Sequence, residues 1–164
     1  MPPGGMASCK ASSSNIAASR GLKRLDDARV WSAQAAELAE RTGETETMGL
    51  FFGPTNVNIW RIAIEVDGGD PARALDVART TNPATIAANF RQVFYYADVA
   101  RAYARLHGKD REAIRFLLTA ERIAPQHFHS SPFARETTRV LLERSRQQAA
   151  GTQLRGLCER MRVS

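Results

Sequence analysis

The sequence predicts an all-α fold, an array of helical hairpins of the α-solenoid class. Two observations carry this expectation. Gly69-Asp70-Pro71-Ala72-Arg73-Ala74-Leu75 returns as Gly108-Lys109-Asp110-Arg111-Glu112-Ala113-Ile114, with the turn glycines 39 residues apart. A fixed period of roughly 34–40 residues marks stacked helix pairs. Apolar residues elsewhere recur at helical spacing, and no segment shows the strict alternation of a half-buried strand.

The elements follow in order. Residues 1–25 are rich in Pro, Gly, Ser and Ala with scattered positive charge, and are expected to form a disordered basic leader ahead of a helical domain over 26–164. Ala28, Trp31, Ala35, Leu38 and Ala39 share one helical face, which Thr42-Gly43 ends. Near Glu46 the pattern leaves a short helix or a loop. Pro54 disfavours a helical Gly53, and Thr55 or Asn56 is expected to cap the next helix. That helix carries Val57, Trp60, Ile62, Ile64 and Val66, and its partner runs from Pro71 through Ala74, Leu75, Val77 and Ala78 to Asn82-Pro83.

The next hairpin has the cleanest pattern. Val93, Tyr96, Ala97, Ala100, Tyr103 and Ala104 form a helical stripe, Gly108 closes it, and Ala113, Ile114, Leu117, Leu118, Ala120 and Ile123 lead on to Pro125. His127-Phe128-His129 reads as a surface connection to Ser131-Pro132, an N-cap and first-turn proline for a helix using Phe133, Val140 and Leu141. Leu154, Leu157, Cys158 and Met161 give the terminal helix its apolar face.

Composition narrows the class of function. The chain is 43% hydrophobic and 24% charged, with mean hydropathy −0.35. No apolar run approaches the roughly 18 residues of a membrane helix, and no secretory signal is evident, so the cytoplasm is the expected compartment. Cys9 and Cys158 lie at opposite ends and do not suggest a disulfide framework. The net charge is +6, but Lys10, Arg20, Lys23 and Arg24 precede the first acid, leaving 19 bases against 17 acids in the remainder. A nearly balanced body is a poor phosphate-binding surface.

Two sets of motifs point to a family. Tyr96, Val99, Ala100, Tyr103, Gly108, Ala113, Leu117, Ala120 and Pro125 take the positions of a tetratricopeptide repeat, allowing one extra residue in the turn. Phe52-Gly53-Pro54-Thr55-Asn56-Val57, Asp98-Val99-Ala100-Arg101-Ala102-Tyr103-Ala104, Leu118-x-Ala120-Glu121-Arg122-Ile123-Ala124-Pro125 and Leu154-Arg155-Gly156-Leu157 occur in that order. Together they resemble the C-terminal tetratricopeptide-like region of actinobacterial helix-turn-helix transcriptional regulators of the XRE type. The resemblance implies a non-enzymatic regulatory module that binds a protein or peptide. The N-terminal helix-turn-helix of such regulators has no counterpart here, which disfavours direct DNA binding.

Carried onto this sequence, the concave face of a tetratricopeptide array would expose Asn58 and Glu65 on one helix and Arg101 and Arg105 on another. Arginine grips a carboxylate through two parallel hydrogen bonds, and an asparagine amide can hold a peptide backbone. No metal set is expected: His127-x-His129 lacks completing ligands, and His107 beside Gly108 suits a helix C-terminus. No nucleophile elbow or phosphate loop is present, so neither an enzyme nor a cofactor is expected. Two other readings remain. The chain is a truncated regulator remnant without independent activity, its Trp31 and Leu38 face covered by homodimer formation; or its leader binds DNA weakly and in a salt-dependent way.

Overall fold

A computed structural model describes residues 14–20, 24–47, 50–146 and 152–163. The described chain is mostly helical and divides into two compact units, residues 1–86 and 87–164. Among its described residues, no helix is long and apolar enough to cross a membrane.

The first unit contains a helical segment over residues 14–20 (α1), α2 (Leu25–Thr42), strands β1 (Thr45–Thr47) and β2 (Leu50–Phe52), α3 (Pro54–Asp67) and α4 (Pro71–Arg79), then a 3-10 turn at Pro83–Thr85. Residues 14–20 depart from the expected disordered leader. Ile16 is buried against Ala28, Ala35 and Ile64, and the Arg20 guanidinium bonds the Asp67 carboxylate at 2.7 Å while lying over Trp60. An apolar anchor and an ion pair suffice to order a short helix that composition alone left unstructured. Arg24 and Leu25, the end of that expected leader, instead open α2, while residues 1–13 and 21–23, with Cys9, lie outside the described residues.

The strands are a second departure, because the sequence suggested none. β1 and β2 pair antiparallel with Thr45 opposite Phe52. The hairpin positions the start of α3 in an unexpected way. Neither Thr55 nor Asn56 caps that helix; both lie inside it, and the Glu44 carboxylate accepts the Thr55 N–H at 2.7 Å. A carboxylate at a helix N-terminus meets both an orphan donor and the positive end of the dipole. Gly53 makes room for it, since a Cβ there would lie 2.7 Å from the Glu44 backbone.

The repeated motif is two helical hairpins. Gly69 has φ 82°, and the N–H groups of Asp70 and Gly69 return to the carbonyls of Glu65 and Val66 at 2.9 and 3.1 Å. The Asp70 carboxylate then accepts the Arg73 N–H at 2.9 Å and Pro71 opens α4. Gly108, at φ 72°, serves the equivalent turn of the second unit. Only glycine takes this left-handed conformation without a Cβ penalty, which is why the glycine marks the repeat.

The second unit contains α5 (Asn89–Ala104), α6 (Asp110–Ile123), α7 (Pro125–Ser130), α8 (Pro132–Arg146) and α9 (Thr152–Met161). α5 packs against α6, α8 against α5 and α6, and α9 against α8. Small residues let the first pair approach: Ala100, Ala113 and Ala120 are fully buried beside Leu117. The terminal helix follows its expected pattern, with Leu154, Leu157, Cys158 and Met161 all buried. Ser131 caps α8 as anticipated, its hydroxyl accepting the Ala134 N–H at 3.3 Å.

Two sequence expectations fail here. The histidine-containing connection is the helix α7, and its Phe128 has no exposed surface. Phe133 faces outward at 54% exposure, while Ala134, Thr138 and Leu141 face the core. Thr138 fits this apolar interior by donating its hydroxyl to the Ala134 carbonyl at 2.8 Å, so no polar group is left unpaired.

Glu121 ties three helices together. Its carboxylate accepts two bonds from Arg160 of α9, at 2.8 and 2.7 Å, and lies 2.9 Å from His129 of α7. Arg160, and after it His129, hold the Glu121 carboxyl below its ordinary value of 4.5, against the opposing effect of burial. A carboxyl lowered on folding stabilises the protein above its unfolded value, and that contribution is lost as pH falls through the folded value. Denaturant unfolding is therefore expected to show stability dropping below about pH 4.5, with Glu121→Gln flattening part of that acid limb. An unchanged acid limb in this variant would rule out the Glu121 contribution.

Candidate protein-binding face

The four residues expected to line a peptide groove have different environments. Asn58 is half-buried, and its side-chain oxygen accepts from Arg61 at 3.2 Å on the same helix. Glu65 is not an exposed contact residue. It is 6% exposed, accepts from Arg29 of α2 at 2.9 Å and lies 3.5 Å from Arg73 of α4. Burial against α2 and α4 gives this carboxylate a structural task, because an ionised group away from water needs its cations.

Arg101 is also buried, at 9% exposure, contrary to the exposed position expected. Its guanidinium pairs with Asp98 at 2.6 Å and lies 4.4 Å over the Phe133 ring. A guanidinium on an aromatic face gains from the ring quadrupole while its edge still reaches a carboxylate. Arg101 therefore orients Phe133. Arg105 is exposed and lines a basic cleft of the same unit.

What the four positions missed is aromatic. Phe90 and Phe94, one helical turn apart on α5, are 37% and 45% exposed and meet edge to face with ring centroids 6.4 Å apart. Phe90 stacks on His127 at 6.0 Å, and the Arg91 guanidinium lies 5.4 Å from the Phe94 centroid. Residues 90, 94 and 101 recur at i, i+4 and i+11, a stripe flanking the buried Val93, Ala97, Ala100 and Ala104. Phe133 of α8 joins that stripe through Arg101.

This is an unusual arrangement for solvent-facing surface. Each ring has apolar area to bury, and the flanking guanidiniums and His127 supply polar edges. Phe94-Tyr95 resolves as one ring out and one in, with Tyr95 only 7% exposed. The i, i+4 spacing of Phe90 and Phe94, outside the alanine-rich core stripe, was the available sequence signal. Phe133 carried none, because Ser131-Pro132 announces a helix without stating which way its first turn faces.

Among the described residues, no group of three His, Cys, Asp or Glu side chains gathers as a metal site requires. No family model matches the chain, and the comparisons with curated proteins and with solved structures found no match.

The contrast between Glu65 and Asn58 can be measured directly. Glu65→Ala should cost roughly 1–3 kcal/mol in urea unfolding, by removing the carboxylate that Arg29 and Arg73 share. Asn58→Ala should stay within about 0.5 kcal/mol. Equal effects would mean that Glu65 is not a structural clasp.

Proposed function

We propose that this protein is a non-enzymatic module that binds a protein or peptide through the α5–α8 face. In this reading its hairpins are tetratricopeptide-like and it acts in transcriptional control in the cytoplasm, related to the C-terminal region of XRE-type regulators. The observation that carries the binding reading is the outward presentation of Phe90, Phe94 and Phe133, with Arg101 stacked beneath the last. Aromatic and arginine side chains dominate the energetic centres of protein interfaces, because they bury a large area at little cost in conformational entropy.

The sequence motifs and turn geometry support the tetratricopeptide part. Gly108 adopts the required left-handed turn, Ala113 and Ala120 lie where α5 and α6 touch, and Pro125 follows α6 at the start of α7. In such repeats the first helix of each pair faces the ligand, and α5 is that helix here. The regulatory assignment rests on the ordered motifs from Phe52 to Leu157.

Capture from a lysate of the host cell, with the full chain as bait, tests the proposal. Phe94→Ala and Phe133→Ala alter exposed side chains, so each should fold with near-native stability. Together they should weaken the dominant captured protein about tenfold or more. Undiminished capture by a folded double variant would show that binding does not use this face.

A further inference from the structure

The second unit carries another surface with different chemistry. The end of α5, the Gly108 turn, α6, α8 and the start of α9 enclose an open cleft of about 1540 Å³. Its floor is apolar, from Ile114 and Leu118 of α6 with Leu141 and Leu154. Its sides are strongly basic, with Arg105, Arg111, Arg115, Arg122 and Arg144.

The two acids in this lining are already engaged. Asp110 pairs with Arg144 at 3.2 Å, and Glu112 pairs with Lys109 at 2.8 Å. Arg144 is further held by the Ala104 carbonyl at 2.6 Å, closing the C-terminal end of α5. Arg111 and Arg122, by contrast, make no ion pair among the described residues, and both are exposed. Arg115 lies between them with its guanidinium 5.5 Å from the Phe116 centroid.

Position along α6 makes these residues a unit. Residues 111, 114, 115, 118 and 122 fall at i, i+3, i+4, i+7 and i+11, so one face of α6 alternates guanidiniums with half-buried Ile114 and Leu118. A ligand complementary to this face offers anionic groups to the arginines and apolar side chains to the floor, in helical register. We propose that the cleft docks an acidic amphipathic helix of a partner protein. Arg111, Arg115 and Arg122 would pair with its carboxylates while its apolar stripe covers Ile114 and Leu118.

Nucleic acid fits less well. Among the described residues the lining contains no Phe, Tyr or Trp on which bases could stack, and a sugar-phosphate backbone has no use for an isoleucine and leucine floor. This inference does not depend on the α5–α8 face, since its residues, ligand and test are separate.

The test titrates the full chain against labelled peptides of about 14 residues, which match the roughly 21 Å length of a 14-residue helix. The first peptide places leucines at i, i+3, i+4 and i+7 among glutamates. A second replaces those leucines by glutamine, a third replaces the glutamates by lysine, and oligothymidylate serves as the polyanion. The first peptide should bind at least about tenfold tighter than the other three, with affinity falling as salt rises. Arg111→Gln/Arg122→Gln and the charge-reversing Arg111→Glu/Arg122→Glu change exposed side chains, and circular dichroism verifies their fold. They should weaken the first peptide progressively, the reversal by at least about tenfold. No binding of the first peptide, equal binding of the glutamine peptide or of oligothymidylate, or full affinity in a folded reversal variant would each overturn the proposal.

Discussion

A carboxylate buried between helices costs free energy until cations reach it, and this requirement organises both units. Glu65 draws Arg29 and Arg73 from the helices before and after its own. Glu121 draws His129 from α7 and Arg160 from α9. In each unit the acid belongs to a central helix, with one partner eight residues on and a guanidinium from 36 or 39 residues away. The helices around it are thereby fixed in register as well as packed, because a guanidinium must arrive at hydrogen-bonding distance to offset the loss of hydration. Hydrophobic burial alone, at about 1.5–3 kcal/mol for a fully buried Leu or Phe, supplies the larger driving force but is tolerant of small sliding.

The termini of the helices show the same economy of charge. Arg144 reaches the last carbonyl of α5, Arg135 reaches the Met161 carbonyl at 2.7 Å, and Glu44 reaches the first turn of α3. Helix ends that lack a capping side chain of their own are satisfied from a neighbouring element. That habit explains how a chain with short connections keeps its hairpins closed. It also explains the basic cleft: once Asp110 is used on Arg144, the remaining arginines of α6 face outward with an apolar floor between them.

Local pattern made much of the helical content legible. The two glycine turns, the alanine-rich stripe of α5, the Ser131 cap and the apolar face of α9 all follow from spacing and residue type within a few positions. What escaped was set by partners far away. Residues 14–20 look structureless until Ile16 finds the core and Arg20 finds Asp67. The strands are three residues each, too short for alternation to register. Glu65 and Arg101 suited a groove by residue type, yet their burial depends on α2, α4 and α8, which no periodicity in their own helices reveals. Phe90 and Phe133 were overlooked because an aromatic residue in a helix is ordinarily core, and orientation of a first helical turn is decided by tertiary packing.

The central functional claim is that the aromatic face of α5 and α8 is where a partner sits. Site-specific photocrosslinking in the host cell addresses it directly, with a photoreactive phenylalanine analogue at position 94 or 133 and, as reference, at Val30, which is 58% exposed on α2. Discrete protein adducts at 94 and 133 that exceed those at 30 are the predicted result. Adducts absent from both positions, or no more frequent there than at Val30, would contradict the account.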